Sequence, residues 1–252
     1  MTVRTPYAVR NYYFPVPDDY EVIWMRPERA PRGPRPAHSR AEIAAAAVKI
    51  ADARGMDGVS MRAVAAEIGM GTMSLYNYVQ RKDDLFDLMV DRTVAEVELA
   101  PPPSGDWRAD LHGLARRTRD VMRAHPWFAR TLTLRVSFGP NVIRYSEYFL
   151  SLLDQAGLDS RTMMETMPRV NVMISSLVNA EVMDAEAVRA SGVTPEQWYT
   201  AHFAHLRSIL ATGEHPLFAK VFGAGIPPAE PDEWLAHSLD LLLDSIDPLR
   251  TS

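Results

Sequence analysis

Between Arg62 and Lys82 the chain gathers side chains suited to a polyanion that carries readable hydrogen-bonding edges: Arg62, Thr72, Met73, Ser74, Tyr76, Asn77, Tyr78 and Lys82. Arg62 and Lys82 supply positive charge, and four hydroxyls can donate to phosphate oxygens. Asn77 carries a carboxamide, the group that makes two hydrogen bonds at once to an adenine edge. The spacing matters as much as the types. Leu75 and Val79 lie four apart, so a helix that buries them turns Tyr76, Asn77 and Tyr78 outward. Just upstream, Met61, Val64, Ala65 and Ile68 repeat at helical spacing after Ser60, a residue that caps helices. Gly69 stands between the two, where a positive φ ends a helix sharply. Helix, tight turn and helix over 60–82 is the layout of a helix-turn-helix, which predicts that helix 72–79 enters a DNA major groove. In that placement Thr72, Ser74 and Asn77 face bases or nearby phosphates, and Met73 lies on the same DNA-binding helix. Tyr76, Tyr78 and Lys82 clamp phosphates, and Arg62 reaches either.

Further helices must hold this pair in place. Ser39 and Glu42 form a capping-box pattern before an Ala-rich helix over 40–54. A helix over 82–99 opens with Asp83 and Asp84, and Leu85, Leu88, Met89, Val94 and Val97 give it an apolar face. The run from SRAEIAAAAVKIADARG through SMRAVAAEIG and GMGTMSLYNYV to RKDDLFDLMVD resembles the N-terminal domain of the tetracycline-repressor-type (TetR) family of bacterial transcription regulators. The later stretches HPWFARTL and GPNVIRYSEYFLSLLDQAGL resemble the C-terminal ligand domains of the tetracycline-repressor branch. The resemblance implies an all-α fold: a three-helix DNA-binding domain over 39–99, joined to a larger helical ligand-binding and dimerisation domain over 106–248. It also implies a homodimer on a palindromic double-stranded operator. A small-molecule effector would shift the spacing of the two reading heads and release the repressor from DNA.

The second domain shows only helical periodicity, with helices predicted over 107–124, 127–136, 141–156, 160–190, 195–212 and 231–247. Candidate polar groups for an effector are His112, Arg116, Arg135, Asn141, Tyr145 and Asn171, with Trp127, Phe128, Phe138 and Phe149 as walls. Met163, Met164, Met167, Met173 and Met183 suit either an adaptable cavity wall or ordinary core. Helices 161–189 and 234–246 are expected at the dimer interface, the latter through Leu235, Leu239, Leu242 and Ile246.

The net charge of −5 hides a partition. Residues 26–82 sum to +5, while 83–100 and 101–252 sum to −5 and −4, so the positive charge sits where phosphates would be met. Residues 1–38 form a Pro- and Arg-rich arm. Pro27, Pro31, Pro34 and Pro36 exclude a regular helix, and Arg29, Arg32 and Arg35 are spaced to follow a phosphate backbone. Tyr12, Tyr13, Phe14, Tyr20, Ile23 and Trp24 suggest that part of this arm packs on the body. The absence of Cys excludes disulfides and thiolate metal sites. No nucleophile elbow or zinc motif occurs, so no enzyme activity, metal or cofactor is expected. The leading residues lack a signal-peptide core and no long apolar run spans a membrane, which points to a cytoplasmic protein. Two other readings stay open: a helical small-molecule carrier or enzyme with a vestigial DNA motif, and a DNA-binding protein without an effector.

Overall fold

The computed structural model describes residues 21–28, 38–99, 101–131, 137–224 and 230–247. Among them every regular element is helical. The first four α-helices are α1 (Arg40–Arg54), α2 (Met61–Glu67), α3 (Thr72–Leu75) and α4 (Lys82–Val94). The capping box at Ser39 is present: its hydroxyl accepts from Glu42 N at 3.2 Å, and the Glu42 carboxylate accepts from Ser39 N at 2.8 Å. Ser60 caps α2 by accepting from Ala63 N at 3.1 Å, and Gly69 takes φ 67° in the turn that follows. Ile43, Ala47, Ile50, Val64, Leu75, Val79, Leu85 and Met89 close into one core, with α1 laid along α4.

Two expected boundaries differ. The reading helix is regular only over Thr72–Leu75, and then tightens into a turn in which Asn77 N and Tyr78 N reach back three residues to Ser74 O and Leu75 O. Tyr, Asn and Tyr in succession are poor helix formers, and the i→i+3 bonds take over. α4 stops at Val94, not at 99, and a turn then buries Val97.

The remaining helices are α5 (Trp107–Ala124), α6 (Pro126–Thr131), α7 (Pro140–Gln155), α8 (Ser160–Ser191), α9 (Pro195–Leu210), α10 (Pro216–Gly223) and α11 (Pro231–Ile246). α5 to α8 pack on one another around Leu111, Leu114, Met122, Phe149, Leu152 and Ile174, and α11 covers α5 and α8. Arg119, only 3% exposed, ties three of them together through Glu181 on α8 and Asp232 at the start of α11. α10 was not expected from the sequence, since eight residues with a single charged side chain are too short to display a period. Leu235, Leu239 and Ile246, three of the four residues expected at the dimer interface, are buried inside the subunit on the side of α11 that meets α5 and α8, and so are core within one chain. Residues 132–136 fall outside the described set, so the extension of α6 to 136 does too. No helix among the described residues is long and apolar enough to cross a membrane.

Candidate nucleic-acid interface and effector chamber

α2 and α3 present the predicted groups on one surface. Leu75 and Val79 are fully buried, which turns Met73 (80% exposed), Ser74, Tyr76 and Asn77 outward. Thr72 is half-buried at the first turn of α3. Tyr78 is half-buried against the core, with Arg62 and Lys82 exposed on either side. Among the described residues no ion pair or side-chain hydrogen bond holds Arg62 or Lys82, so both cations are available to an incoming anion. This exposed, cationic and hydrogen-bonding face rests on a buried Leu–Val pair, as a groove-reading helix requires.

Nine of the ten effector candidates are among the described residues and divide into three places. Tyr145, Phe149 and Asn171 come together in the interior of the second domain. The Tyr145 hydroxyl donates to Asn171 Oδ1 at 2.9 Å and lies 3.3 Å from Thr118 Oγ1, joining α7, α8 and α5. Burial pushes the Tyr145 phenol up to about 12, so it stays neutral and able to donate. Phe149 packs at 6.2 Å from its ring, and Phe128 is buried on α6. Sequence reasoning missed Thr118, whose buried position on α5 shows only in its spacing from Leu111, Leu114 and Ala115.

His112, Arg116 and Phe138 are peripheral. His112 Nε2 sits 2.8 Å from Asp240 Oδ1 on α11, while Arg116 and Phe138 are exposed. Arg135 lies outside the described residues, as do Arg29, Arg32 and Arg35.

Trp127 and Asn141 belong to the joint between the two domains. The Trp127 indole N–H donates to Asp52 Oδ1 on α1 at 2.8 Å. His125, at the end of α5, faces the same carboxylate through Nδ1 at 2.8 Å and Glu96 through Nε2 at 3.0 Å. Burial by itself would lower the His125 pKa, but the two carboxylates outweigh it and raise it above the usual histidine value. On the other side of the joint, Asp91 of α4 accepts from Asn141 N and Nδ2, both at 2.7 Å, and from Val142 N at 3.1 Å. A carboxylate of the DNA head thus caps the first turn of α7. Gly139 makes this approach possible, because a Cβ there would stand 2.1 Å from Asp91 Oδ1. The sequence held one hint: α7 begins Gly-Pro-Asn, with no Ser or Asp at the cap, so the cap had to come from elsewhere.

Comparison with known proteins agrees with this geometry. Residues 43–89 match the family described as bacterial regulatory proteins, tetR family, and residues 99–249 match the tetracyclin repressor-like C-terminal domain. The HTH-type transcriptional repressor DrrR1 of Streptomyces coeruleorubidus is 36% identical over 203 residues, which cover 80% of this chain and 75% of that protein. An HTH-type transcriptional regulator of Saccharopolyspora erythraea is 30% identical over 215 residues, covering 85% of each. Among solved structures, ActR of Streptomyces coelicolor in complex with actinorhodin superposes with a TM-score of 0.69 at 27% identity, covering 84% of this chain and 97% of that one. Apo ActR gives a TM-score of 0.70 at 26% identity, covering 85% and 97%.

Proposed function

The chain belongs to the tetR family of bacterial regulatory proteins, as a ligand-responsive DNA-binding transcriptional regulator, and from that premise we propose how it works. It is a non-enzymatic repressor that binds a palindromic operator as a homodimer and leaves it when a small molecule occupies the second domain. The observation that carries this reading is the face built on α2 and α3, with Leu75 and Val79 buried and Ser74, Tyr76, Asn77, Arg62 and Lys82 facing out. Two such faces related by a twofold axis read two half-sites, whereas one head reads too few base pairs for specific binding.

The effector binds where Thr118, Tyr145 and Asn171 meet, beside the Phe149 ring that packs on Tyr145. This buried polar cluster in an apolar interior has the composition of a small-molecule site. A bound effector that competes for the Tyr145 hydroxyl shifts α7 and α8. The joint at Asp91–Asn141 and Asp52–His125 conveys the shift to the head. Such a ligand releases DNA only if it favours the arrangement in which the two heads do not match the operator. ActR, bound to actinorhodin in its solved complex, makes actinorhodin the first effector to try on this chain.

Dimer contacts fall to the outward faces of α8 and α11, through Met164 and Val172 on the one and Trp234 and Leu241 on the other. The α9–α10 hairpin adds Trp198, Tyr199, Phe203, Phe218 and Phe222, all exposed, and an apolar patch of that kind marks a surface that another chain covers.

The test is fluorescence anisotropy on duplexes from the DNA flanking the protein's own gene, with actinorhodin as the first effector probe. Saturable binding that a scrambled duplex does not compete, reversed by actinorhodin, is the expected result. Binding of equal strength to any duplex would contradict it.

A further inference from the structure

Residues 21–28 lie against the DNA head and bridge the starts of two of its helices. Ile23, in a 3₁₀ turn over Ile23–Met25, is fully buried in the head's core, with Trp24 packed beside it. The carbonyls of Ile23 and Arg26 accept from Arg40 Nη1 at 3.0 and 2.9 Å, and the Glu28 carboxylate accepts from Arg40 N at 2.8 Å. At the other end Arg81 donates to Glu21 O at 2.6 Å. Arg26 itself reaches the fully buried Asp84 at 2.6 Å, and Asp84 also accepts from Arg81 N at 3.1 Å and from the Arg81 guanidinium at 3.2 Å. Burial alone would push the Asp84 carboxyl up, but the two arginines outweigh it and hold it below the usual carboxylate range, so it is charged at neutral pH.

We infer that this strap is a positioning element for DNA reading: Ile23 and Arg26 fix the start of α4, and with it the turn after α3 and Lys82. The inference rests on the reading of α3 as the groove-reading element. Only Val79, Gln80 and Arg81 separate the reading turn from α4, so a shift of Arg81 moves Lys82 and the exposed Tyr76–Tyr78 turn together. Arg26 is not a phosphate contact in this arrangement. Its side chain is 11% exposed and committed to Asp84. A buried ion pair that loses one partner leaves the other charge uncompensated, so the strap and α4 shift rather than simply relax.

The experiment compares the full-length protein with Arg26→Met, Arg26→Lys and Ile23→Ala. Each is measured for affinity to a duplex selected by the wild type, over a salt series and well below its melting temperature. Arg26→Met and Ile23→Ala should each lower affinity on the order of tenfold, the worth of one misplaced base contact. The slope of affinity against salt should stay unchanged, and Arg26→Lys should recover part of the loss. A slope lower by about one in Arg26→Met would make Arg26 a phosphate contact and overturn the inference. Unchanged affinity in Ile23→Ala and Arg26→Met would also overturn it, by making the strap a passive cover. Failure of the wild type itself to prefer any duplex would be seen separately, and would overturn the reading of the head together with the inference.

Discussion

At the scale of single residues, charge separates side chains that exposure alone does not. Lys82 and Tyr76 are both exposed on the head, but only Lys82 carries a charge whose pairing with phosphate would release counterions from DNA. Lys82→Ala should therefore weaken operator binding and lower the slope of affinity against salt by about one. Tyr76→Ala should cost about 1.5–3 kcal/mol, the worth of a hydrogen bond to a charged group, and leave the slope as it was. Titration of both variants over one salt series checks the pair. His125 gives a prediction of a different kind. Its folded pKa lies above the usual value, so its contribution to stability is fully present below the unfolded pKa of about 6.5 and is lost as pH rises through the raised folded value. The wild type should lose melting temperature over that window, and His125→Gln should lose less, because its amide does not titrate. Differential scanning calorimetry at several pH values reads the difference directly.

At the scale of elements, α11 sorts its own leucines. Leu239→Ala removes a fully buried side chain and should cost about 2–5 kcal/mol of subunit stability in denaturant unfolding. Leu241→Arg changes a position 59% exposed and should leave the subunit folded while converting dimer to monomer in sedimentation. The sequence marks α11 as amphipathic, but one apolar stripe cannot say whether it meets its own chain or another. Leu239 was expected at the interface for that reason. Elements with a strong period or a cap were legible from sequence: α1 from its capping box, α2 from Ser60, and the head from Leu75 and Val79. What stayed hidden was long-range polar geometry. Asp91 reaches α7 across 50 residues, and Asp52 meets Trp127 across 75. Neither carboxylate differs in type or local spacing from a solvated one. Asn141 and Trp127 were therefore grouped with effector contacts, while the structure sets them at the joint between domains.

At the scale of the whole molecule, a head whose exposed face carries Arg62 and Lys82 is joined to the second helical domain by shared apolar core and by polar contacts, and that joint is where an effector's influence passes. Binding energy in the second domain reaches the heads across two contacts, α7 on α4 through Asn141 and Asp91, and α6 with the end of α5 on α1 through Trp127, His125 and Asp52. Asp91→Ala should accordingly leave effector affinity within about a few-fold of wild type while reducing the effector's power to release DNA, a loss of coupling and not of binding. Calorimetry of the effector and anisotropy of the duplex, taken on one preparation, separate the two. In the function proposed, two α3 faces held by one dimer read two halves of a symmetric DNA site. Selection of binding duplexes from a random pool by the full-length protein tests it most directly. The expected result is enrichment of a palindrome whose half-site centres lie about one or more helical turns apart, lost in the Leu241→Arg variant. Recovery of no preferred sequence, or of a single asymmetric half-site bound by one protomer, would contradict it.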